Sequence, residues 1–153
     1  MRTILPAAVL LLLPTAGAAS VPSNRAIALE FGVDTPAAAA GPAASLVSLT
    51  ASAWLDGPVE AFATVARADG GVRGTSARGT AGLRAVAGRV LQASIGADVG
   101  LEYGADGSAG PTWGAGAGVG RRLGPIVMGL RSWLRSGPGG LRLELAAGIG
   151  AAF

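Results

Sequence analysis

The sequence predicts an all-β protein: an eight-stranded antiparallel up-and-down transmembrane β-barrel, preceded by a cleaved signal peptide. Three observations predict it. Apolar residues alternate with small or charged ones in eight segments, the period of a strand whose two faces meet different surroundings. One face is Leu, Val, Ile and Ala, without charge over most of its length. The other is Gly, Ala, Ser and Thr with a scattering of charges. Finally, segments of roughly 8–13 residues match a membrane crossing at a tilt near 45°.

The chain opens "MRTILPAAVLLLLPTAGAAS". Arg2 supplies a positive start, Ile4 to Leu13 an apolar stretch, and Ala16-Gly17-Ala18 a small-residue cleavage site. This reads as a secretory signal peptide over residues 1–19, cut after Ala18 or Ala19. The apolar stretch is too short to span roughly 30 Å of hydrocarbon as a helix. Residues 20–153 form the barrel domain.

The first strand is "RAIALEFGVD", with Ile27, Leu29, Phe31 and Val33 opposite Ala26, Ala28, Glu30 and Gly32. "SLVSLTASAWL" sets Val47, Leu49, Ala51, Ala53 and Leu55 against Ser48, Thr50 and Ser52. "VEAFATVAR" sets Val59, Ala61, Ala63 and Val65 against Glu60 and Thr64, and "TAGLRAV" sets Ala81, Leu83 and Ala85 against Gly82 and Arg84. The clearest alternation is "LQASIGADVGLEY", where every odd position from Leu91 to Tyr103 is apolar. In "WGAGAGVG", Trp113, Ala115, Ala117 and Val119 alternate with glycines. The run fits no G-x-G-x-x-G spacing and opens no helix, and a chain without Lys cannot build a P-loop. "IVMGLRSWLR" sets Ile126, Met128, Leu130 and Leu134 against Gly129, Arg131 and Arg135. "LRLELAAGIGAAF" closes the chain with apolar odd positions from Leu141 to Phe153. Trp54, Phe62 and Trp133 break parity, which implies either bulges or aromatics wedged at a rim.

Connections after the first, third, fifth and seventh strands read as long: "DTPAAAAGP", "ADGGVRGTSARG", "GADGSAG" and "SGPGG". Those after the second, fourth and sixth ("DGP", "AGR", "RRLGP") read as tight. Long loops therefore belong at one rim and short turns at the other.

Composition agrees with a closed, inverted sheet. The chain is 50% hydrophobic but only 14% charged, against roughly 25% in soluble domains. A soluble barrel would coat its outside with charge. All 12 basic residues are Arg, with no Lys, His or Cys. The net charge of +3 on so charge-poor a chain describes no polybasic surface, so nucleic acid is not an expected partner. Missing Cys excludes disulfide staples and a lipid-modified anchor. Closure satisfies every backbone group, as lipid demands. Phe31, Tyr103, Trp113 and Trp133 fall toward the long-loop ends, and Trp54, Phe62 and Phe153 toward the short-turn ends, as two interfacial girdles require.

Parity puts Glu30, Arg84, Asp98, Glu102, Arg142 and Glu144 inside, with Arg131 joining them. An eight-stranded barrel is only wide enough for side chains to fill it, so a general porin is not expected and these charges must pair. Arg84 and Asp98, on neighbouring strands, form one expected pair. Arg131, Arg142, Glu144 and Glu30, on strands that meet at closure, form another group. In the second predicted loop, Arg73 and Arg78, with Arg67 at its base, are candidate contacts for lipopolysaccharide phosphates.

With these residues in view, the whole span 20–153 resembles the small eight-stranded outer-membrane barrels of the OmpA and OmpX type. The resemblance is architectural. It implies a Gram-negative outer membrane, with both termini and the short turns in the periplasm and the long loops outside. It also implies that Leu145, Ala147, Ile149, Ala151 and the terminal Phe153 form the assembly signal read by periplasmic chaperones and the barrel-assembly machinery. Outer-membrane enzymes of similar shape depend on a catalytic His, which this chain lacks. The expectation is a monomeric, non-enzymatic protein without cofactor or metal, acting through its longer loops. A narrow barrel binding a small solute or ligand is the alternative.

Overall fold

The computed structural model describes residues 24–37, 41–55, 57–71, 74–88 and 90–153; the expected signal peptide lies outside them. Eight strands follow one another: β1 (Arg25–Pro36), β2 (Ala44–Trp54), β3 (Val59–Gly70), β4 (Ser76–Ala87), β5 (Leu91–Gly104), β6 (Ala109–Leu123), β7 (Ile126–Gly137) and β8 (Gly140–Ala152). Each pairs antiparallel with the next, and β8 pairs with β1, so the sheet closes into a barrel. Closure leaves no exposed edge.

The register fixes the shape. From Arg25 the ladder runs through Ala53, Ala61, Leu83, Ala97, Ala115, Leu134 and Leu143 and returns to β1 at Thr35, ten residues further along. A stagger of that size over eight strands, with a rise of ~3.3 Å and a spacing of ~4.8 Å, gives a tilt of about 40°. Ten residues of strand at that tilt stand about 25 Å tall along the barrel axis.

Faces follow parity throughout. Ile95, Val99, Leu91 and Leu130 are all more than 60% exposed on the outer wall. Among the described residues, outward charges occur only toward the rims: Arg25 and Arg121 at one end, Arg67 and Asp69 at the other. Inside lie Glu30, Asp34, Glu60, Arg78, Asp98, Glu102, Arg135, Arg142 and Glu144, all buried. Among the described residues a small buried apolar cluster, Ala44, Leu46, Ala66, Ala68 and Ala146, lies beside these charges near the loop end. The barrel is built inside out relative to a soluble one.

Two expectations about the chain's course change. The fourth connection is no long loop: the ladder of β7 and β8 runs to Gly137 and Gly140, leaving a two-residue turn at 138–139. The loop rim therefore carries 37–43, 71–75, 105–108 and that tight turn, against 55–58, 88–90 and 124–125 at the other rim. Strands β4 and β6 also run longer than expected. "SARG" looks like loop by composition, yet Ser76 and Arg78 are inward strand positions in which polarity is tolerated. At the 124–125 turn, Gly124 takes φ 61°, the left-handed geometry that the first position of a two-residue hairpin demands.

Candidate functional site

The lumen divides into three storeys. In the loop-side storey, β1, β4, β5, β7 and β8 contribute Asp34, Arg78, Asp98, Glu102, Arg135, Arg142 and Glu144. Arg135 grips Asp98 with both terminal nitrogens, at 2.7 and 2.9 Å, while its Nε donates to Glu144 Oε1 at 2.9 Å. Arg78 Nη1 meets the same Glu144 oxygen at 2.7 Å. Arg142 Nη1 donates to Glu102 Oε1 at 2.7 Å, and its Nη2 reaches Glu102 Oε2. Asp34 completes the set, 3.5 Å from Arg142 Nη1 and 3.7 Å from Arg78 Nη1. Planar guanidinium forks suit such shared carboxylates better than ammonium would. Three cations and four anions thus lock five strands together across the axis.

Space for these long side chains comes from the glycines of β6. A Cβ on Gly114 would lie 3.2 Å from Arg135 Cζ, and one on Gly116 would lie 2.8 Å from both Cα and Cδ2 of Trp133. The glycine face of "WGAGAGVG" is a lumen wall thinned to admit an arginine and a tryptophan.

The middle storey is aromatic. Phe62 and Trp133 are both 5% exposed and stack with centroids 5.7 Å apart at 51°. Their broken parity is neither a bulge nor a rim wedge: each keeps its strand's alternation and simply points inward. They are therefore not girdle residues, and Trp54 also faces inward, lining the turn-side cavity. The outward aromatics are Phe31, Tyr103 and Trp113 on the loop-side half, with Phe153 at the turn end.

The turn-side storey holds two further pairs. Glu30 accepts from Ser48 at 2.8 Å and Thr50 at 3.1 Å and pairs with Arg131 Nη2 at 2.8 Å. Arg84 Nε donates to Glu60 at 2.6 Å, with its Cζ 5.6 Å from the Phe62 ring centre. Between them lies a cavity of about 140 Å³.

All seven expected lumen charges are inside, but the expected Arg84–Asp98 pair does not form. The register places Arg84 beside Glu60 and Gly96, while Asp98 stands beside Gly82, two positions away on β4. Asp98 is claimed by Arg135 instead. Asp34, Glu60, Arg78 and Arg135 also belong to the networks and were not counted among the expected lumen charges; parity of the predicted strands would have found Asp34, Glu60 and Arg135, but not Arg78, whose segment reads as loop. Arg78 cannot be a lipopolysaccharide contact, because it is buried in the lumen. Arg67 is exposed at the loop rim, held by Asp69 at 2.8 and 3.0 Å, and Asp69 also accepts from Thr75. Arg73 lies outside the described residues. Leu145, Ala147, Ile149 and Ala151 face outward on β8, and Phe153 exchanges backbone hydrogen bonds with Arg25 at 2.9 and 3.2 Å.

Among solved structures, the chain is similar to one from "De novo design of transmembrane beta-barrels", with a TM-score of 0.51 and 18% identity, over 88% of this chain and 98% of that one. No protein-family model and no curated protein matches it. The likeness is one of fold, and it defines the class: an eight-stranded antiparallel barrel similar to a transmembrane β-barrel.

Proposed function

We propose that this chain is an integral outer-membrane barrel of the OmpA and OmpX type, with a lumen closed by its own salt bridges and no enzymatic activity. One observation carries the reading: an outer wall free of charge between its rims encloses a lumen packed with buried charge. In water that arrangement would expose most of the large apolar side chains. In lipid it places the apolar surface against acyl chains, and its height of about 25 Å matches the apolar band of such barrels.

In this reading the termini and the 55–58, 88–90 and 124–125 turns face the periplasm. The 37–43 and 71–75 connections form the outer interaction surface, where Arg67 remains a candidate for lipopolysaccharide phosphate and would have to exchange Asp69 for it. Phe153, with Leu145, Ala147, Ile149 and Ala151, serves as the assembly signal for the barrel-assembly machinery and periplasmic chaperones, and the folded barrel is a monomer. The test is cell fractionation of the full chain. It is expected in the outer membrane, resistant to urea extraction and migrating differently on gels with and without boiling. Recovery as a soluble periplasmic protein would overturn the proposal.

A further inference from the structure

We propose that the turn-side storey of the lumen is a blind cup that binds a small carboxylate. The inference holds whichever membrane the barrel occupies.

The cup sets charged and hydroxyl side chains among glycine and apolar wall residues. Its mouth is set by Arg25, Trp54 and Arg122 at the turn rim, and its inner end by Glu30 and Arg131. Beyond them, Phe62, Trp133 and the loop-side salt bridges fill the bore. A volume of about 140 Å³ equals roughly ten water-sized sites, room for a ligand of a few heavy atoms. Among the described residues its walls carry Arg84 and Arg131 beside Glu30 and Glu60, and both arginines keep nitrogens that those carboxylates do not engage.

Arg84 supplies the recognition element. Glu60 takes its Nε, and its two terminal nitrogens make no hydrogen bond among the described residues. Its side chain remains 28% exposed, whereas every arginine of the loop-side network is below 10%. The Phe62 ring beneath fixes the guanidinium, so a two-nitrogen edge is presented ready-made. A planar oxyanion meets that edge in a bidentate pair. Deeper in, Arg131 Nε is buried without a partner, a second donor within the same walls. A carboxylate fits the planarity, the single wet edge and the volume together.

The test uses the full ¹⁵N-labelled barrel in nanodiscs, titrated with sodium acetate at constant ionic strength. Amide shifts of Ser94, Gly118, Gly120 and Gly148, which line the cup, are expected to saturate, and neither acetamide nor sodium chloride should reproduce them. Arg84→Gln should weaken acetate binding at least tenfold. Glu60→Gln, which removes the competing carboxylate, should tighten it at least threefold, and this second variant decides the matter if the first does not fold. Shifts that never saturate, an equal response to acetamide, or affinity unchanged in either folded variant would overturn the cup. None of these outcomes bears on the membrane assignment, which rests on fractionation.

Discussion

Arg135 holds three oxygens of two carboxylates at once and is 1% exposed. Truncating it leaves Asp98 and Glu144 buried without that counter-charge, the circumstance in which a lost ion-pair partner costs about 3–5 kcal/mol. Arg135→Ala should therefore destabilise the barrel by that amount in urea unfolding in micelles. Adding Asp98→Ala should cost much less than the sum, with a coupling of at least about 1 kcal/mol. The same cycle on Arg84 and Asp98 is expected to be additive within about 0.5 kcal/mol, because they share no partner. Coupling between Arg84 and Asp98, or none between Arg135 and Asp98, would contradict the register described. At this scale, which side chains go inside was readable from parity; which charges meet was not. Pairing across a bore depends on stagger, and nothing local in the sequence reports how far a ladder climbs.

Strand β6 shows how an element can be right in pattern and misread in purpose. Its glycines alternate because they face the lumen, and they differ in what stands opposite. A methyl on Gly114 would press at 3.2–3.3 Å on the Arg135 guanidinium without overlapping it, whereas on Gly116 it would strike the Ser132 carbonyl and the Trp133 backbone. Gly114→Ala should thus cost less than about 1 kcal/mol, and Gly116→Ala the 1–3 kcal/mol or more of an overpacked site. Equal unfolding midpoints for the two would show that the wall is not what limits them. On β8, deleting Phe153 removes the two backbone hydrogen bonds that finish the pairing with β1. Lower amounts of folded barrel and precursor left to proteolysis are expected on immunoblots; wild-type amounts would remove Phe153 from the assembly signal. Strand centres were legible because both faces alternate there. The ends of β4 and β6 were not, since inward arginines and glycines look like loop composition when a lumen accepts them.

For the whole molecule, the eight strands, their order and the inverted faces were all written in the sequence. The plug's location and the cavity of the turn-side storey were not, because they arise from how eight short patterns stack around one axis. A bore closed by buried pairs should pass no ions: the purified barrel in a planar bilayer is expected to show no discrete conductance steps. Steps in the unmodified protein would mean that the loop-side storey opens.

The ten-residue climb of the ladder also has a meaning in time. Arg135 and Asp98 are 37 residues apart in the chain, Arg142 and Glu102 are 40, and Arg131 and Ser48 are 83. Asp34 and Glu144 face each other across the β1–β8 pairing that closes the ring. A half-curled sheet therefore carries its charges bare, wettable while in water and repelled by acyl chains until their partners arrive. Contacts so distant along the chain make closure slow to reach. In the proposed membrane setting, entry into lipid and ring closure are expected to be one event: bare charges hold an unfinished sheet out of the bilayer, and the salt bridges are the latch whose closing lets the finished ring in. Mutants that weaken the latch, such as Arg135→Ala, should accumulate as urea-extractable protein before any loss of the finished barrel is seen in pulse-chase fractionation.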